Sequence, residues 1–259
     1  MNLVGFQTLK VSIDGDVGYI QMYRPEANNA LNERMVDELT EVLAAYENEV
    51  KVVVLEGLPE VFCFGADFKE IQQKLDSGND NPVDDPGKLY DLWLKLATGP
   101  FVSVAHVRGK VNAAGVGFVA ACDVVIADYT AIFSLSELLF GLMPACVLPF
   151  LIRRMGYPKA NHLTVMTLPI GPKQALDWGL VDSLAEDSTQ LLRKQLLRLR
   201  LLSAKGVHRY KGYLNELDDS LISGKAKAVA ANQLVFSDKE NLDKIRRYVR
   251  TGKFPWEQD

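Results

Sequence analysis

The stretch from residue 100 to residue 123, PFVSVAHVRGKVNAAGVGFVAACD, constrains the fold more than any other part of the chain. Residues 101–107 are mainly apolar and β-branched, which is typical of a strand buried in a sheet. A turn containing Gly109 follows, and small residues from Ala113 onward predict the start of a helix. The first N–H groups of a helix have no partners within it, so this helix start can stabilise a negatively charged oxygen.

A second helix start with unpartnered N–H groups is predicted around residue 67. Asp67 and Glu70 have the spacing of a capping box, with Asp in place of the usual Ser or Thr. A helix that begins there leaves the N–H groups near Gly65 and Ala66 pointing outward. The chain therefore has two places at which free backbone donors are expected.

Strand and helix patterns alternate through the first 187 residues. Residues 8–13 and 17–22 predict a hairpin that turns at residues 14–16, and Asn32 is a predicted helix N-cap. The breaker-rich residues 77–87 predict a mobile loop. Further strands are predicted at 51–55, 124–127, 131–133 and 180–184, and further helices at 88–98, 148–155, 158–166 and 172–178.

From residue 188 onward the pattern is helical, with breaks expected at Gly206, Gly224 and Gly252. Strand and helix units followed by an all-helical tail indicate an α/β architecture. The sequence therefore predicts a core with a parallel sheet over residues 1–187 and a helical C-terminal subdomain over residues 188–259.

Composition agrees with a globular protein that has no membrane segment. Of 259 residues, 48% are hydrophobic and 24% are charged, and no apolar run reaches the roughly 18 residues that span a bilayer. The N-terminus lacks a signal pattern, so we expect a cytoplasmic protein. Three cysteines in apolar surroundings predict reduced, buried thiols. Three scattered histidines without a Cys-x-x-Cys pair argue against a metal site.

Charge is distributed unevenly along the chain. The net charge is −4, yet residues 191–259 hold 15 Lys and Arg against 8 Asp and Glu. This basic region is either a solvated helical surface or a docking face for phosphate or for an acidic carrier protein. Nucleic acid is not an expected partner, because the basic residues are not interleaved with aromatic residues that could stack on bases.

Six motifs occur in the order in which one enzyme family has them. Together they resemble the crotonase (enoyl-CoA hydratase/isomerase) superfamily, and the resemblance extends from about residue 5 to the C-terminus. The motifs are PEANNALN at 25–32, FCFGADF at 62–68, HVRGKVNAAGVGF at 106–118, CD at 122–123, FSLSE at 133–137 and DWGLVD at 177–182.

The resemblance implies a fold and a substrate class. The fold has repeated ββα units that form two roughly perpendicular sheets, with a C-terminal helical region that assembles homotrimers or hexamers. The substrate is an acyl thioester of coenzyme A or phosphopantetheine, with no other cofactor. The family's two oxyanion donors fall on the N–H groups of Ala66 and Ala114, with Gly115 as the alternative for the second. Removing a proton next to a thioester places negative charge on its oxygen, which such donors stabilise.

The catalytic acids depart from the pattern of the family's hydratases. Those enzymes use two glutamates, and the first position is Gly117 here. Glu137 occupies the second position and is expected to be the acid and base, unless it only forms a capping box with Ser134. Addition of water usually engages two carboxylates, so one carboxylate better suits elimination, proton transfer or isomerisation. Four apolar neighbours are expected to raise the pKa of Glu137: Leu138, Leu139, Phe140 and Met143.

Some segments resemble one group within the superfamily more closely, the dehydratases of polyketide β-branching cassettes. That group converts 3-hydroxy-3-methylglutaryl on an acyl carrier protein into 3-methylglutaconyl on the same carrier. Lys69, Tyr90 and Cys146 are expected to contact substrate, without a nucleophilic role for Cys146. Other candidates for binding a phosphate or the far carboxylate are Lys95, His106, Arg108, Lys110 and Arg153. The segments are FCFGADF, LYDLW at 89–93, KVNAAGVGF, residues 134–154 and FPWE at 254–257.

Three rival functions stay open at this point. The first is a hydratase or isomerase of coenzyme A thioesters, and the second is the decarboxylase of the same cassette. The third is a crotonase-fold protein that binds RNA or serves as a scaffold. Both oxyanion segments and Glu137 are retained, which favours an enzyme of the lyase type.

Overall fold

The computed structural model describes residues 5–77 and 85–257, so that residues 1–4, 78–84 and 258–259 are left aside. Most of the loop predicted at 77–87 lies outside the described residues, and Pro86 and Gly87 belong to a helix instead. Within the described ranges, no helix combines the length and the apolar character that a membrane crossing requires.

Nine strands form two sheets in the described part of the chain. They are β1 Leu9–Asp14, β2 Val17–Met22, β3 Val52–Glu56, β4 Val61–Cys63, β5 Val102–Val107, β6 Lys110–Asn112, β7 Val124–Ala127, β8 Ile132–Ser134 and β9 Ser183–Leu184. The larger sheet has the order β1-β2-β3-β5-β7-β9, and the smaller has the order β4-β6-β8. Among these strands only the predicted hairpin, β1 and β2, pairs antiparallel. The predicted mainly parallel core with two sheets is confirmed.

The smaller sheet consists of three-residue strands, and the sequence did not reveal β4 and β6. Strands this short do not show the alternation by which a strand is recognised. β4 and β6 run parallel, with Val61 opposite Lys110 and Cys63 opposite Val111. The chain segments that leave these two strands therefore lie side by side, and they lead into the two predicted helix starts.

Among the described residues before 188, seven α-helices pack around the sheets. Asn32 caps the first of them as predicted, because its side chain accepts a hydrogen bond from the Met35 N–H at 3.0 Å. The helix that begins at Ala114 is buried from its second residue onward, which explains its small and apolar composition. The helices are α1 Glu33–Tyr46, α2 Phe68–Asp76, α3 Pro86–Thr98, α4 Ala114–Ala121, α5 Leu148–Met155, α6 Tyr157–Met166 and α7 Pro172–Asp177. Two 3-10 helices span Pro25–Ala27 and Glu137–Phe140.

Four further helices follow, and two of the predicted breaks between them are wrong. The helices are α8 Ser188–Leu199, α9 Ala204–Leu217, α10 Ser220–Ser237 and α11 Lys239–Thr251. Gly206 and Gly224 lie inside α9 and α10, whereas Gly252 ends α11 with a φ of 70°. New helices begin where side chains cap them: Ser203 accepts from the N–H of Gly206. Capping outweighed the low helix propensity of glycine.

The C-terminal helices pack onto the core on several sides. Leu192 and Leu196 of α8 are buried against one face of the larger sheet. Leu221 of α10 joins the main core, and Ile245 of α11 packs in a cluster with residues of α2 and of the second 3-10 helix. The helical region therefore helps to enclose the space between the sheets and the two helix starts.

Candidate active site

A cavity of about 910 Å³ lies where the two helix starts meet. Its wall includes Ala66 before α2, Ala114 at the start of α4, and Glu137 at the start of the second 3-10 helix. Residues of α3, α10 and α11 also line it. The three groups to which the sequence assigned the chemistry therefore face one common space.

The backbone before α2 presents the Ala66 N–H to this cavity. The Leu31 N–H donates to the Gly65 carbonyl at 2.7 Å, and the Asp67 N–H donates to the Leu31 carbonyl at 3.0 Å. In extended backbone, successive groups point to opposite sides, so the Ala66 N–H points away from Leu31. The hydrogen bonds of the described residues include none from the Ala66 N–H.

The second donor is the N–H of Ala114, the first residue of α4. It has no acceptor within its own helix, and none among the other described residues. A Cβ atom placed on Gly65 would lie 2.8 Å from the Ala113 Cβ and 3.6 Å from the Ala114 nitrogen. There is therefore no room for a side chain at position 65. Because glycine has none, the two donor segments can approach each other.

Ala113 turns the chain sharply into α4 at a backbone conformation that glycine usually adopts. Its φ is 52° and its ψ is −121°. The turn is fixed on both sides: the Ala113 N–H donates to the Ser134 carbonyl at 3.0 Å, and the Val116 N–H donates to the Ala113 carbonyl at 2.9 Å. Such a conformation costs energy and persists where the surroundings enforce it, as at many active sites. Here it sets the direction of the Ala114 N–H.

Gly115, the alternative second donor, lies behind the cavity wall. A Cβ atom on this residue would lie 2.5 Å from the Cys63 carbonyl oxygen. Gly115 therefore lets α4 pack closely against β4. It is buried, and the cavity wall includes Ala114 instead. The geometry favours Ala114 as the donor.

Glu137 is held with one carboxylate oxygen, Oε2, buried and without a hydrogen-bond partner among the described residues. Burial raises its pKa from 4.5 to about 7, although the backbone N–H groups of Glu137 and Ser136 act in the opposite direction. The apolar wall is formed in part by the predicted residues. Leu139, Phe140 and Met143 line the cavity, whereas Leu138 is 43% exposed and makes no part of this wall.

The alternative reading of Glu137 as a capping-box residue finds no support in the geometry. The Ser134 hydroxyl donates to Asn112 Oδ1 at 2.9 Å, and the Ser136 hydroxyl donates to the same oxygen at 3.2 Å. Asn112 thus fixes the segment that leads into Glu137. The sequence reading missed Asn112, although it stands directly before the two small residues at the start of α4.

An indole ring fills the space beside Gly117, where the family's hydratases have a glutamate. A Cβ atom on Gly117 would lie 2.5 Å from Trp93 Cζ2. Trp93 is 1% exposed and lines the cavity, and its Nε1 has no partner among the described residues. The sequence indicated Trp93 only as part of the segment LYDLW and gave it no role of its own. Nothing in the local pattern of α3 indicated that it reaches Gly117.

The three predicted substrate contacts fall in different places. Lys69 is exposed and lies at the cavity wall. Cys146 also lines the cavity, and burial raises the pKa of its thiol to about 12, which agrees with an unreactive thiol. The structure does not place Tyr90 at the cavity, contrary to expectation. Its side chain is fully buried, and its hydroxyl donates to the Leu221 carbonyl at 2.6 Å. Tyr90 therefore anchors α10 and does not line the cavity.

Of the other anion-binding candidates, the structure brings only Lys110 to the described cavity wall. Lys95 forms an ion pair with Glu47. His106 lies beneath α8, where its ring nitrogens contact Glu56 and Ser188. Arg108 and Arg153 are not among the lining residues.

Aromatic residues close one side of the cavity, and the sequence indicated Phe140 as a neighbour of Glu137 and Phe254 through FPWE. Phe254 lies against Tyr248 of α11, with ring centroids 5.2 Å apart, and stacks on Trp256 at 4.9 Å. Phe140 contacts Tyr248 at 5.3 Å. The end of the chain therefore contributes to the apolar surroundings of Glu137.

Comparisons with known proteins identify the family to which this chain belongs. A sequence model of the enoyl-CoA hydratase/isomerase family matches residues 12–259. The bacillaene synthase dehydratase PksH of Bacillus subtilis strain 168 is 56% identical over 258 residues, covering 99% of each chain.

Solved structures confirm the predicted fold. The crystal structure of a polyketide biosynthesis enoyl-CoA hydratase, PksH from Bacillus subtilis, matches with a TM-score of 0.95 at 55% identity, over 97% of this chain and 100% of that one. AtuE of Pseudomonas aeruginosa matches with a TM-score of 0.76 at 28% identity, over 97% and 100% of the two chains. This chain is therefore an enzyme of the hydratase/lyase type and belongs to the enoyl-CoA hydratase/isomerase family, the crotonase superfamily.

Proposed function

We propose that this protein is a dehydratase of polyketide biosynthesis. Its substrate would be 3-hydroxy-3-methylglutaryl on an acyl carrier protein, and its product 3-methylglutaconyl on that carrier. The similarity to the dehydratase PksH supports the reaction type. The observation that carries the proposal is the pairing of two free backbone donors with one buried carboxylate, Glu137, across one cavity.

Glu137 differs from the other carboxylates of the described cavity wall. Glu70 pairs with Lys74 at 3.3 Å, Asp67 pairs with Arg24 at 3.1 Å, and the others also have cationic or backbone partners. Among the lining residues that the structure describes, Glu137 alone has a buried carboxylate oxygen without a partner. A carboxylate with one unpaired oxygen and a pKa of about 7 can both take and return a proton near neutral pH.

One carboxylate can serve both steps of an elimination. Glu137 takes a proton from C2, and the electron pair of the C2–H bond passes to the thioester oxygen between the N–H groups of Ala66 and Ala114. The enolate then re-forms the carbonyl and makes the C2=C3 double bond. The electron pair of the C3–O bond leaves with the oxygen, which accepts the proton from Glu137 and departs as water.

The described cavity wall carries no carboxylate at the place where the family's hydratases have their second glutamate. A second carboxylate would hold and activate the attacking water, and its place on α4 is Gly117. The ring of Trp93 occupies the space next to Gly117. An indole N–H is a donor only and has no lone pair with which to take a proton from water.

The pantetheine arm of the substrate would enter past the lysines of the cavity rim. Lys69 and Lys110 line the cavity, and neither has a carboxylate within ion-pair distance among the described residues. We expect one or both to contact the phosphate of the arm. The arm is part of the substrate, and no further cofactor is needed for the steps above.

Assembly into a homotrimer or hexamer remains part of the proposal. The C-terminal helices present large apolar side chains to solvent in the single chain: Leu197, Leu201 and Tyr210 are 71%, 73% and 62% exposed. Exposed apolar side chains that form a contiguous patch are typical of an interface. Light scattering should give the mass of three or six chains, and the double variant Leu197→Asp with Leu201→Asp should give a smaller mass.

Mass spectrometry of the intact carrier protein tests the proposed reaction. The enzyme is incubated with a carrier loaded with 3-hydroxy-3-methylglutaryl-phosphopantetheine, and we expect the loss of one water. Loss of carbon dioxide from the methylglutaconyl carrier would identify the decarboxylase instead. Turnover of coenzyme A thioesters with none of the carrier substrate would identify a general hydratase. The Glu137→Gln variant is the control that shows whether the loss of water is catalysed by the protein.

A further inference from the structure

The indole N–H of Trp93 is a buried donor for which the described protein supplies no acceptor. Four buried side-chain atoms lack partners in the described residues, and two of them belong to arginines that donate a hydrogen bond from another nitrogen. The remaining two are Trp93 Nε1 and Glu137 Oε2, and both residues line the same cavity. Buried polar groups are normally paired, so a donor and an acceptor left open at one cavity indicate a ligand that meets both.

The ring of Trp93 cannot turn to find another acceptor. It is packed edge-on against Phe118 at 5.7 Å and against Phe150 at 5.8 Å between ring centroids. Its Cζ2, Cε2 and Cη2 atoms lie against Gly117, at 2.5, 2.7 and 2.8 Å from the place of a Cβ atom. Cε2 is bonded to Nε1, so the edge that carries the N–H lies next to α4.

Gly117 and Trp93 therefore depend on each other. Any side chain at position 117 would collide with the indole, and the indole occupies the space which that side chain would take. The indole N–H of Trp93, a neutral donor held in a fixed orientation, therefore lies next to α4. It takes the place of a side chain at position 117 that could accept a proton.

From this arrangement we propose that Trp93 binds the substrate by donating its indole N–H to the hydroxyl oxygen on C3 of a 3-hydroxyacyl thioester. The inference rests on the proposed function and assigns the site its specificity for that hydroxyl. The thioester oxygen is already served by the N–H groups of Ala66 and Ala114. A terminal carboxylate would need more than one neutral donor to be buried at this place.

A hydroxyl group has the hydrogen-bonding capacity to serve both open groups. It can accept from Trp93 Nε1 and donate to the Glu137 carboxylate. When the C3–O bond breaks, its electron pair stays on the oxygen, which gains negative charge until the proton from Glu137 arrives and water leaves. The hydrogen bond from Trp93 strengthens as this charge develops, so it acts on the transition state more than on the bound substrate.

Kinetics of Trp93→Phe provide one test, because phenylalanine keeps an aromatic ring and removes the N–H. On the carrier-bound 3-hydroxy-3-methylglutaryl substrate we expect kcat to fall about 10- to 100-fold with KM little changed. Trp178→Phe is the matched control, since Trp178 packs against His162 away from the cavity, and it should retain the wild-type kcat. A raised KM with an unchanged kcat for Trp93→Phe would overturn the proposal.

Nuclear magnetic resonance of the unaltered protein gives a second test that requires neither turnover nor a folded variant. The chain has three tryptophans, so it gives three indole N–H signals. Two unreactive thioether analogues of the acyl-pantetheine are compared, one with and one without the 3-hydroxyl group. We expect the Trp93 signal to move downfield only with the hydroxylated analogue. Equal shifts with both analogues would overturn the proposal, even where the dehydration assay succeeds. Conversely, a hydroxyl-dependent shift without dehydration would refute the proposed reaction alone.

Discussion

The buried polar side chains beneath α8 and α9 are paired with one another, whereas those around the cavity are left open. Below α8, His106 Nδ1 lies 2.6 Å from Glu56 Oε1, and His106 Nε2 lies 2.8 Å from the Ser188 hydroxyl. Below α9, Lys211 donates to Asp123 at 2.7 Å and to two backbone carbonyls. At the cavity, Glu137 Oε2 and Trp93 Nε1 have no such partners.

This difference separates polar groups that hold the fold from polar groups that serve the reaction. A buried charge that is paired and hydrogen-bonded offsets its desolvation, so its removal leaves the partner unsatisfied. A buried carboxylate with one oxygen unpaired is incompletely compensated for its desolvation, and its removal should cost activity while sparing stability. The two regions should therefore respond in opposite ways to substitution.

The largest expected effect is the loss of turnover in Glu137→Gln. Glutamine keeps the shape of the side chain but cannot take or return a proton, so kcat should fall by about 10²- to 10⁴-fold on the carrier-bound substrate. Denaturant unfolding of the same variant should give a stability equal to or greater than that of the wild type. Activity near that of the wild type would remove Glu137 from the mechanism.

The pH dependence of turnover should follow the same carboxyl group. Because the carboxylate form takes the C2 proton, kcat/KM should rise about tenfold per pH unit until the pH reaches about 7, the raised pKa of Glu137, and then level off. The folded state binds this proton more tightly than the unfolded state does. The stability contribution of Glu137 should therefore fall as the pH rises from 4.5 to about 7. Glu137→Gln should lack this fall, which unfolding at several pH values would measure.

The substitution Lys211→Met, in the region below α9 where the buried polar groups are paired, should lower stability and leave turnover unchanged. The variant removes the cation that serves Asp123 and the carbonyls of Leu96 and Phe101. We expect a loss of about 2–3 kcal/mol in the free energy of unfolding, with kcat of the folded enzyme unchanged. Burial lowers the pKa of Lys211, and Asp123 offsets part of this shift. A variant with normal stability and a low kcat would contradict the division between the two regions.

The smallest effect is expected for Tyr90→Phe. The Tyr90 hydroxyl donates to the Leu221 carbonyl at 2.6 Å and contributes no group to the cavity wall. Thermal and denaturant unfolding should show a loss of about 1 kcal/mol, the usual contribution of one hydrogen bond. A changed KM for the carrier-bound substrate would restore Tyr90 as a substrate contact.

Local patterns predicted much of this structure, and contacts distant in sequence produced the rest. The hairpin of β1 and β2, the Asn32 cap and the helix Leu148–Met155 depend on neighbouring residues, and their patterns predicted them. The predicted helix starts indicated free donors near Ala66 and after Ala113, and the family's motifs then assigned the roles of Ala66, Ala114 and Glu137.

The features missed depend on packing between distant segments. Trp93 reaches Gly117 from another helix, and Tyr90 meets α10 across more than a hundred residues of chain. The positive φ of Ala113 is imposed by its hydrogen bonds and is not a preference of alanine. Such features follow from the assembled fold and have no local signature.

The most direct test of the account is hydrogen–deuterium exchange at C2 of a carrier-bound acyl thioester that lacks the 3-hydroxyl group. This substrate allows only the first step, removal of the C2 proton by Glu137 with the enolate held by Ala66 and Ala114. In deuterated water, the wild type and Trp93→Phe should both introduce deuterium at C2, and Glu137→Gln should introduce none beyond the rate without enzyme. Exchange that persists in Glu137→Gln would contradict the central claim that this one carboxylate is the base.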